Sequence, residues 1–206
     1  MDILEHCSEK RVIRLLKGVA DELRIDSTGH RVAILEYSSL AKASKWRRYY
    51  FEHISSDPAL AEVINQLPHI QGITDTGSAL RVVIDEYVPS RRNGIPLIIF
   101  TITDGYYRDH EIVQKNIAKL LSFPNTHLFA ATPSSSYNLK GLLSLTNGEI
   151  SRLAYGQDAL ERSKQMLQQF TSCRSRQNTE IRRKPQNKAL LSTTRSILDN
   201  ALFTDY

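Results

Sequence analysis

An α/β fold is what this sequence predicts: a mainly parallel, doubly wound sheet with helices on both faces. Three observations carry that expectation. The run from Leu97 to Thr103 is entirely apolar or β-branched, as befits a central strand covered on both faces, where no polar alternation survives. It stops at Asp104-Gly105, a strand-to-loop break at the edge where open α/β sheets hold ligands. Short apolar runs then alternate along the chain with stretches of helical periodicity, the order that right-handed crossovers between parallel strands require.

The elements follow in order. Val12, Leu15, Leu16, Val19 and Leu23 recur at three and four residues, with Lys10, Arg11, Arg14 and Lys17 largely opposite, so an amphipathic helix is expected with Ser8 as its N-cap. The turn Asp26-Ser-Thr-Gly29 precedes a compact strand, Arg31 to Tyr37. The aromatic segment Trp46 to Glu52 reads as a short edge strand whose two arginines discourage edge-to-edge pairing. Asp57-Pro58 opens a helix as N-cap and N1, and Pro68 ends it. A glycine-flanked polar loop from Gln71 leads into a helix from Ala79 to Tyr87. After the Leu97 strand come a helix over about 109–122, a strand from Thr126 to Ala131, and a short helix over Leu139 to Leu145 with Asn147-Gly148 as its C-cap. A brief strand, Glu149 to Leu153, and a last helix over about 157–170 complete the pattern.

The chain has 206 residues, 41% of them hydrophobic, enough for one sizeable core with a tail left over. The expected division is a domain over 1–170 and a basic, disordered tail over 171–206 that folding can dispense with, because it offers few apolar groups to offset its ordering entropy. Residues 190–203 within it have the makings of a transient amphipathic helix. The formal charge of +5 is concentrated there: seven Lys and Arg against three acids from Thr171 onward, which leaves +1 for the rest. A globular part so nearly neutral gives no whole-surface nucleic-acid footprint. No apolar run approaches the roughly 18 residues of a membrane span. The amino terminus lacks the basic and apolar regions of a signal peptide. The two cysteines, Cys7 and Cys173, form no metal spacing, and their places before the first and after the last helix predict that they do not pair.

Two loops hold the candidate chemistry. Asp104 is either a rigidly held, ligand-facing carboxylate or simply half of an Asp-Gly turn. Thr74, Asp75 and Thr76 place two hydroxyls and a carboxylate before a helix, where such residues also serve as caps. His110 reads as a solvent-facing helix-start histidine rather than a catalytic base. The segments Arg31-Val-Ala-Ile-Leu-Glu-Tyr-Ser-Ser39, Gly72-Ile-Thr-Asp-Thr-Gly-Ser-Ala-Leu80 and Ile98-Ile-Phe-Thr-Ile-Thr-Asp-Gly105, in this order, closely resemble the von Willebrand factor type A domain over roughly residues 8–170. The resemblance implies a Rossmann-like sheet with a metal-ion-dependent adhesion site at the carboxyl ends of its strands, and Thr74 and Asp104 match two of its ligands. It further implies a ligand-binding surface of Thr74, Asp75, Thr76, Asp104 and Gly105.

One part of the family pattern is missing. The Asp-x-Ser-x-Ser run, and the central strand before it, would fall just upstream of Met1. That leaves three readings open: an incomplete gene model, a fragment, or a domain that borrows a strand from a partner. One hydroxyl and one carboxylate make a poor cage for Mg²⁺ or Mn²⁺, so any metal should bind weakly. The resemblance implies a non-enzymatic module for adhesion or interaction, whose partner is another protein such as a matrix or receptor component. It sits outside cells if a signal peptide precedes this sequence and inside them otherwise. The alternative is a nucleotide-binding α/β enzyme using the same crevice, although neither Gly-x-Gly-x-x-Gly nor Gly-x-x-x-x-Gly-Lys-Ser/Thr occurs.

Overall fold

The computed structural model describes residues 3–68, 70, 73–171 and 199–204. Its centre is a six-stranded sheet in the order β2-β1-β6-β3-β4-β5. The strands are β1 (Arg31–Glu36), β2 (Arg47–Tyr49), β3 (Leu97–Ile102), β4 (Thr126–Thr132), β5 (Leu153–Tyr155) and β6 (Asp199–Thr204). Five run parallel; β2 pairs antiparallel on the outer edge of β1, with Glu36 opposite Arg47. The helices are α1 (Ile3–Ala20), α2 (Asp57–Gln66), α3 (Thr76–Val82), α4 (His110–Leu121), α5 (Leu139–Leu145) and α6 (Ala159–Thr171).

The sheet divides the core in two. Val32, Ile34, Ile98, Phe100, Phe129 and Ala131 face Leu16, Val19 and Met166 of α1 and α6, and Leu60 and Ile64 of α2. Residues one step along the same strands, Ala33, Leu35, Ile99, Leu128 and Ala130, face Leu80, Val113, Ile117 and Leu142 on the other side. This is the two-residue strand period with both faces covered, and all six residues of β3 are buried.

The largest departure from expectation concerns the strand predicted to be missing. Its slot between β1 and β3 is filled by β6, whose residues pair in parallel with Arg31 to Glu36 on one side and Leu97 to Ile102 on the other. The expectation that 171–206 stands outside the fold therefore does not hold for residues 199–204, which are neither a tail nor a helix. The physical reason is the slot itself: two buried strands with unpaired inner edges would leave rows of N–H and C=O groups without partners. Satisfying them outweighs the ordering entropy of a short segment.

Smaller corrections have local causes. Ser8 lies inside α1, which begins at Ile3, so neither Ser8 nor Cys7 precedes the helix; Cys173 lies outside the described residues. The cap of α2 is Ser56, whose hydroxyl accepts from the Ala59 N–H, with Asp57-Pro58 shifted into its first turn. The helix expected from Ala79 starts at Thr76 and passes at Val83 into a wider π turn. In place of a strand over Glu149 to Leu153, a short 3-10 turn at Ile150–Arg152 precedes β5, which pairs with Ala130 to Thr132. Asn147 and Gly148 do close α5 with positive φ, and Gly148 N–H donates to the Leu143 carbonyl.

Candidate functional site: the carboxyl-end crest

Parallel strands send their following loops to one edge, and here that edge gathers the loops after β1, β3 and β4 with the loop before α3. They are bonded to one another. The Asp75 N–H donates to the Ser38 carbonyl at 3.3 Å, and Asp75 Oδ2 accepts from the Leu40 N–H at 2.6 Å. Asp75 thus braces the loop after β1. Thr76 is fully buried, its hydroxyl 3.3 Å from the Tyr37 phenol. Thr74 is also buried, just beneath the crest.

Asp104 is exposed as a residue, and its Oδ1 accepts from the Tyr106 N–H at 2.9 Å. The surrounding protein shuts in part of its carboxyl and raises the pKa above the ordinary carboxylate value, while the Tyr106 and Asp104 amides pull the other way. The Asp104 carbonyl accepts from the Asn138 N–H at 2.8 Å, tying this loop to the start of α5. Gly105 has φ +83, and a Cβ there would lie 2.6 Å from the Asn138 carbonyl oxygen, so the turn needs glycine. Of the expected ligand-binding set, only Asp104 is exposed as a residue; Thr74 is buried, and Asp75, Thr76 and Gly105 hold the loops in place. His110 is exposed, stacked obliquely on Tyr107 at 4.7 Å between ring centres.

Sequence reasoning missed three features. Asp109, at the N-cap of α4, turns Oδ2 away from its own helix to accept from the Ser78 N–H at 3.0 Å, so a carboxylate already occupies the amino end of α3. Of the six large apolar residues that are 40% to 58% exposed among the described residues, four, Leu40, Ile73, Tyr106 and Leu139, stand on or at the end of a different crest loop each, the other two being Ile112 in α4 and Ile150 before β5. The four are scattered in sequence, and only the topology collects them.

The third is Glu36, wholly buried at the end of β1, with no hydrogen-bond partner for either carboxyl oxygen among the described residues. An acid inside the apolar run Val32 to Tyr37 was the available signal. Burial pushes its pKa up to about 8, against the opposing pull of Arg47 and of the Ile70 amide, which lies nearby but outside hydrogen-bond geometry. The folded chain thus keeps a proton that an unfolded glutamate releases near pH 4.5. Stability should fall as pH rises between those values, by up to about 1.4 kcal/mol per unit. Glu36→Gln should flatten that slope and stabilise the chain at pH 7.5 by up to about 3 kcal/mol. Urea unfolding from pH 5 to pH 8.5 is the check, and an unchanged slope would show that the carboxyl is ionised in the fold.

Comparison with known proteins settles the family. The profile of the von Willebrand factor type A domain matches residues 8–172. This chain belongs to that family. Among curated proteins it is similar to cuticlin-6 of Caenorhabditis elegans, 28% identical over 100 residues, which is 48% of this chain and 17% of cuticlin-6. Two solved structures share the fold. Proximal thread matrix protein 1 from the mussel byssus superimposes with a TM-score of 0.63 at 14% identity, over 81% of this chain and 40% of that one. A further structure of the mussel protein has its metal-ion-dependent adhesion site occupied by zinc. Manganese-loaded Plasmodium vivax TRAP protein also gives 0.63, at 13% identity, over 78% of this chain and 65% of that one. The chain thus spans less than two thirds of each of these proteins. The von Willebrand factor type A family is known for protein–protein interaction and adhesion, and no helix among the described residues is long and apolar enough to cross a membrane.

Proposed function

We propose that this domain binds another protein at its carboxyl-end crest, and that Leu40, Ile73, Tyr106 and Leu139 are its contact residues around Asp104. The exposed apolar side chain on each of the four crest loops carries this reading, because apolar groups set among polar ones at a rigid edge are what a protein interface uses. Cuticlin-6 and the mussel thread matrix protein support an extracellular matrix setting and a matrix or receptor component as partner. A peptide library displayed on phage, selected on the full chain, tests this. Selected peptides should lose at least tenfold in affinity for an Ile73→Ser, Tyr106→Ala double variant whose thermal midpoint is unchanged. Equal binding to both chains would place the interface elsewhere.

The zinc and manganese sites of the structural neighbours make a divalent metal plausible here, but the donors fit one poorly. Thr74 and Asp104 give one hydroxyl and one carboxylate, and the described residues contain no group of three His, Cys, Asp or Glu able to hold an ion. Asp205, next in sequence after β6, lies outside the described residues. Calorimetry with Mg²⁺ or Mn²⁺ should show no binding tighter than about millimolar, since Mg²⁺ surrenders its waters reluctantly. Micromolar affinity lost in both Asp104→Ala and Asp205→Ala would overturn that expectation. A nucleotide enzyme is the weaker reading: the amino end of α3, the natural phosphate seat, is taken by the Asp109 carboxylate.

A further inference from the structure

Helices α1 and α6 pack side by side on one face of the sheet, and Gly18 sets how closely they approach. A Cβ there would lie 2.3 Å from Leu160 Cδ1, so Leu160 rests against the backbone of α1. Two adjoining hollows lie along this seam and share Arg14 and Leu160. The first, about 390 Å³, opens beside Pro133 and Gly156 in the loops after β4 and β5. The second, about 370 Å³, continues along the helices to Asp21 and Lys164. None of Leu40, Ile73, Asp104, Tyr106 and Leu139 lines either hollow.

The rim of this groove is cationic. Lys10, Arg11, Arg14 and Lys17 of α1 and Lys164 of α6 line it, against the carboxylates of Asp21 and Glu161. Lys10, Arg14 and Lys17 are exposed, and no described side chain forms an ion pair with them. Arg81 and Arg152, by contrast, each have an acid three or four residues away. Residues four and three apart share a stripe of a helix, where like charges repel, so the fold holds three cations within about 10 Å without offsetting them. The floor between them is aliphatic, made by Ile13, Leu15 and Leu160.

We propose that this groove is a second docking site, separate from the crest, whose occupant is an extended segment of a partner protein in which acidic residues alternate with aliphatic ones. Rim and floor together specify that ligand. Alternate side chains of an extended peptide fall on the same side about 6.8 Å apart, close to the roughly 6 Å between Lys10 and Arg14 along the helix. Carboxylates on one side meet the cations, Arg14 offering a two-pronged fork, while the aliphatic side chains between them settle around Leu160. A sulfated glycan would use the rim and leave the floor bare. Nucleic acid would lack the aromatic platforms on which bases stack, since no aromatic side chain lines either hollow among the described residues.

The test is fluorescence anisotropy on the full chain. The probe is a labelled peptide of about nine residues alternating Glu and Val, and its reference carries the same residues as one Glu block and one Val block. At about 50 mM salt the alternating peptide should bind at least about fivefold more tightly than the block peptide. It should lose at least about tenfold in affinity for an Arg14→Gln, Lys17→Gln double variant, whose exposed substitutions keep helix propensity and leave the thermal midpoint unchanged. A Lys115→Gln, Lys119→Gln variant removes the same charge from α4, on the other face of the sheet, and should bind as the parent does. Equal binding of the two peptides, equal loss in the two variants, or no binding at about 1 mM peptide would overturn the proposal. So would a heparin hexasaccharide that binds more tightly than the alternating peptide and loses affinity in the Arg14→Gln, Lys17→Gln variant, because the groove would then belong to a sulfated glycan.

Discussion

A chain ending at Thr171 should lose the cooperative thermal transition of the full-length protein. Without β6 the inner edges of β1 and β3 face each other across an empty slot. Six register pairs disappear on each side, and a buried backbone group left without a partner costs about 1–3 kcal/mol. About ten such groups together match or exceed the roughly 5–15 kcal/mol by which a domain is stable. Ala201→Pro in the full chain should destabilise it for the same reason, by more than about 3 kcal/mol. Deleting residues 175–186 instead should leave the transition in place, because the 15 residues that remain between Thr171 and Asp199 still reach about 50 Å when extended. Circular dichroism melts of the three chains decide the matter: a Thr171-terminated chain that melts like the parent would show that β6 contributes nothing.

Gly141→Ala should be strongly destabilising although alanine favours helices. Gly141 sits in α5, where alanine would ordinarily gain about 1 kcal/mol over glycine. Its added Cβ would lie 2.0 Å from the Gly105 carbonyl oxygen. That is a backbone atom, and it cannot swing aside as a side chain would. The loop bearing Asp104 and the start of α5 bearing Leu139 must therefore move apart, and overpacking of this kind costs about 1–3 kcal/mol or more. A fall in thermal midpoint of about 5–10 °C is expected, together with weaker peptide binding at the crest. Gly94→Ala is the control: its φ of +76 carries backbone strain, but nothing lies within 4 Å of the added Cβ. If Gly141→Ala raised the midpoint, the close approach of these two loops would be contradicted.

What the sequence revealed and what it hid follow from the range of the interactions involved. β3 and α4 were legible because a seven-residue apolar run and a helical stripe are local patterns. Asp104 was legible because it ends such a run. β6 was not: Asn200-Ala-Leu-Phe-Thr204 is a short apolar stretch in a basic, polar segment, and its partners lie about 100 residues away or more. Only the gap in the family pattern hinted that some segment had to supply a strand. The crest's apolar residues escaped for a related reason, since Leu40, Ile73, Tyr106 and Leu139 belong to separate loops and no window of sequence contains two of them. Asp75 and Thr76 looked like ligand donors, but their hydrogen-bond partners, Leu40 and Tyr37, stand on a different loop.

Everything at the crest depends on β1 and β3 being held one strand apart, which β6 does. Amide hydrogen exchange of the full chain under native conditions measures that most directly. The amides of residues 200–204 should be protected to the same degree as those of Ile98 to Ile102, because both strands lie inside the sheet and open only when the domain unfolds. Exchange at 200–204 as fast as in an unstructured peptide, with Ile98 to Ile102 still protected, would contradict the account.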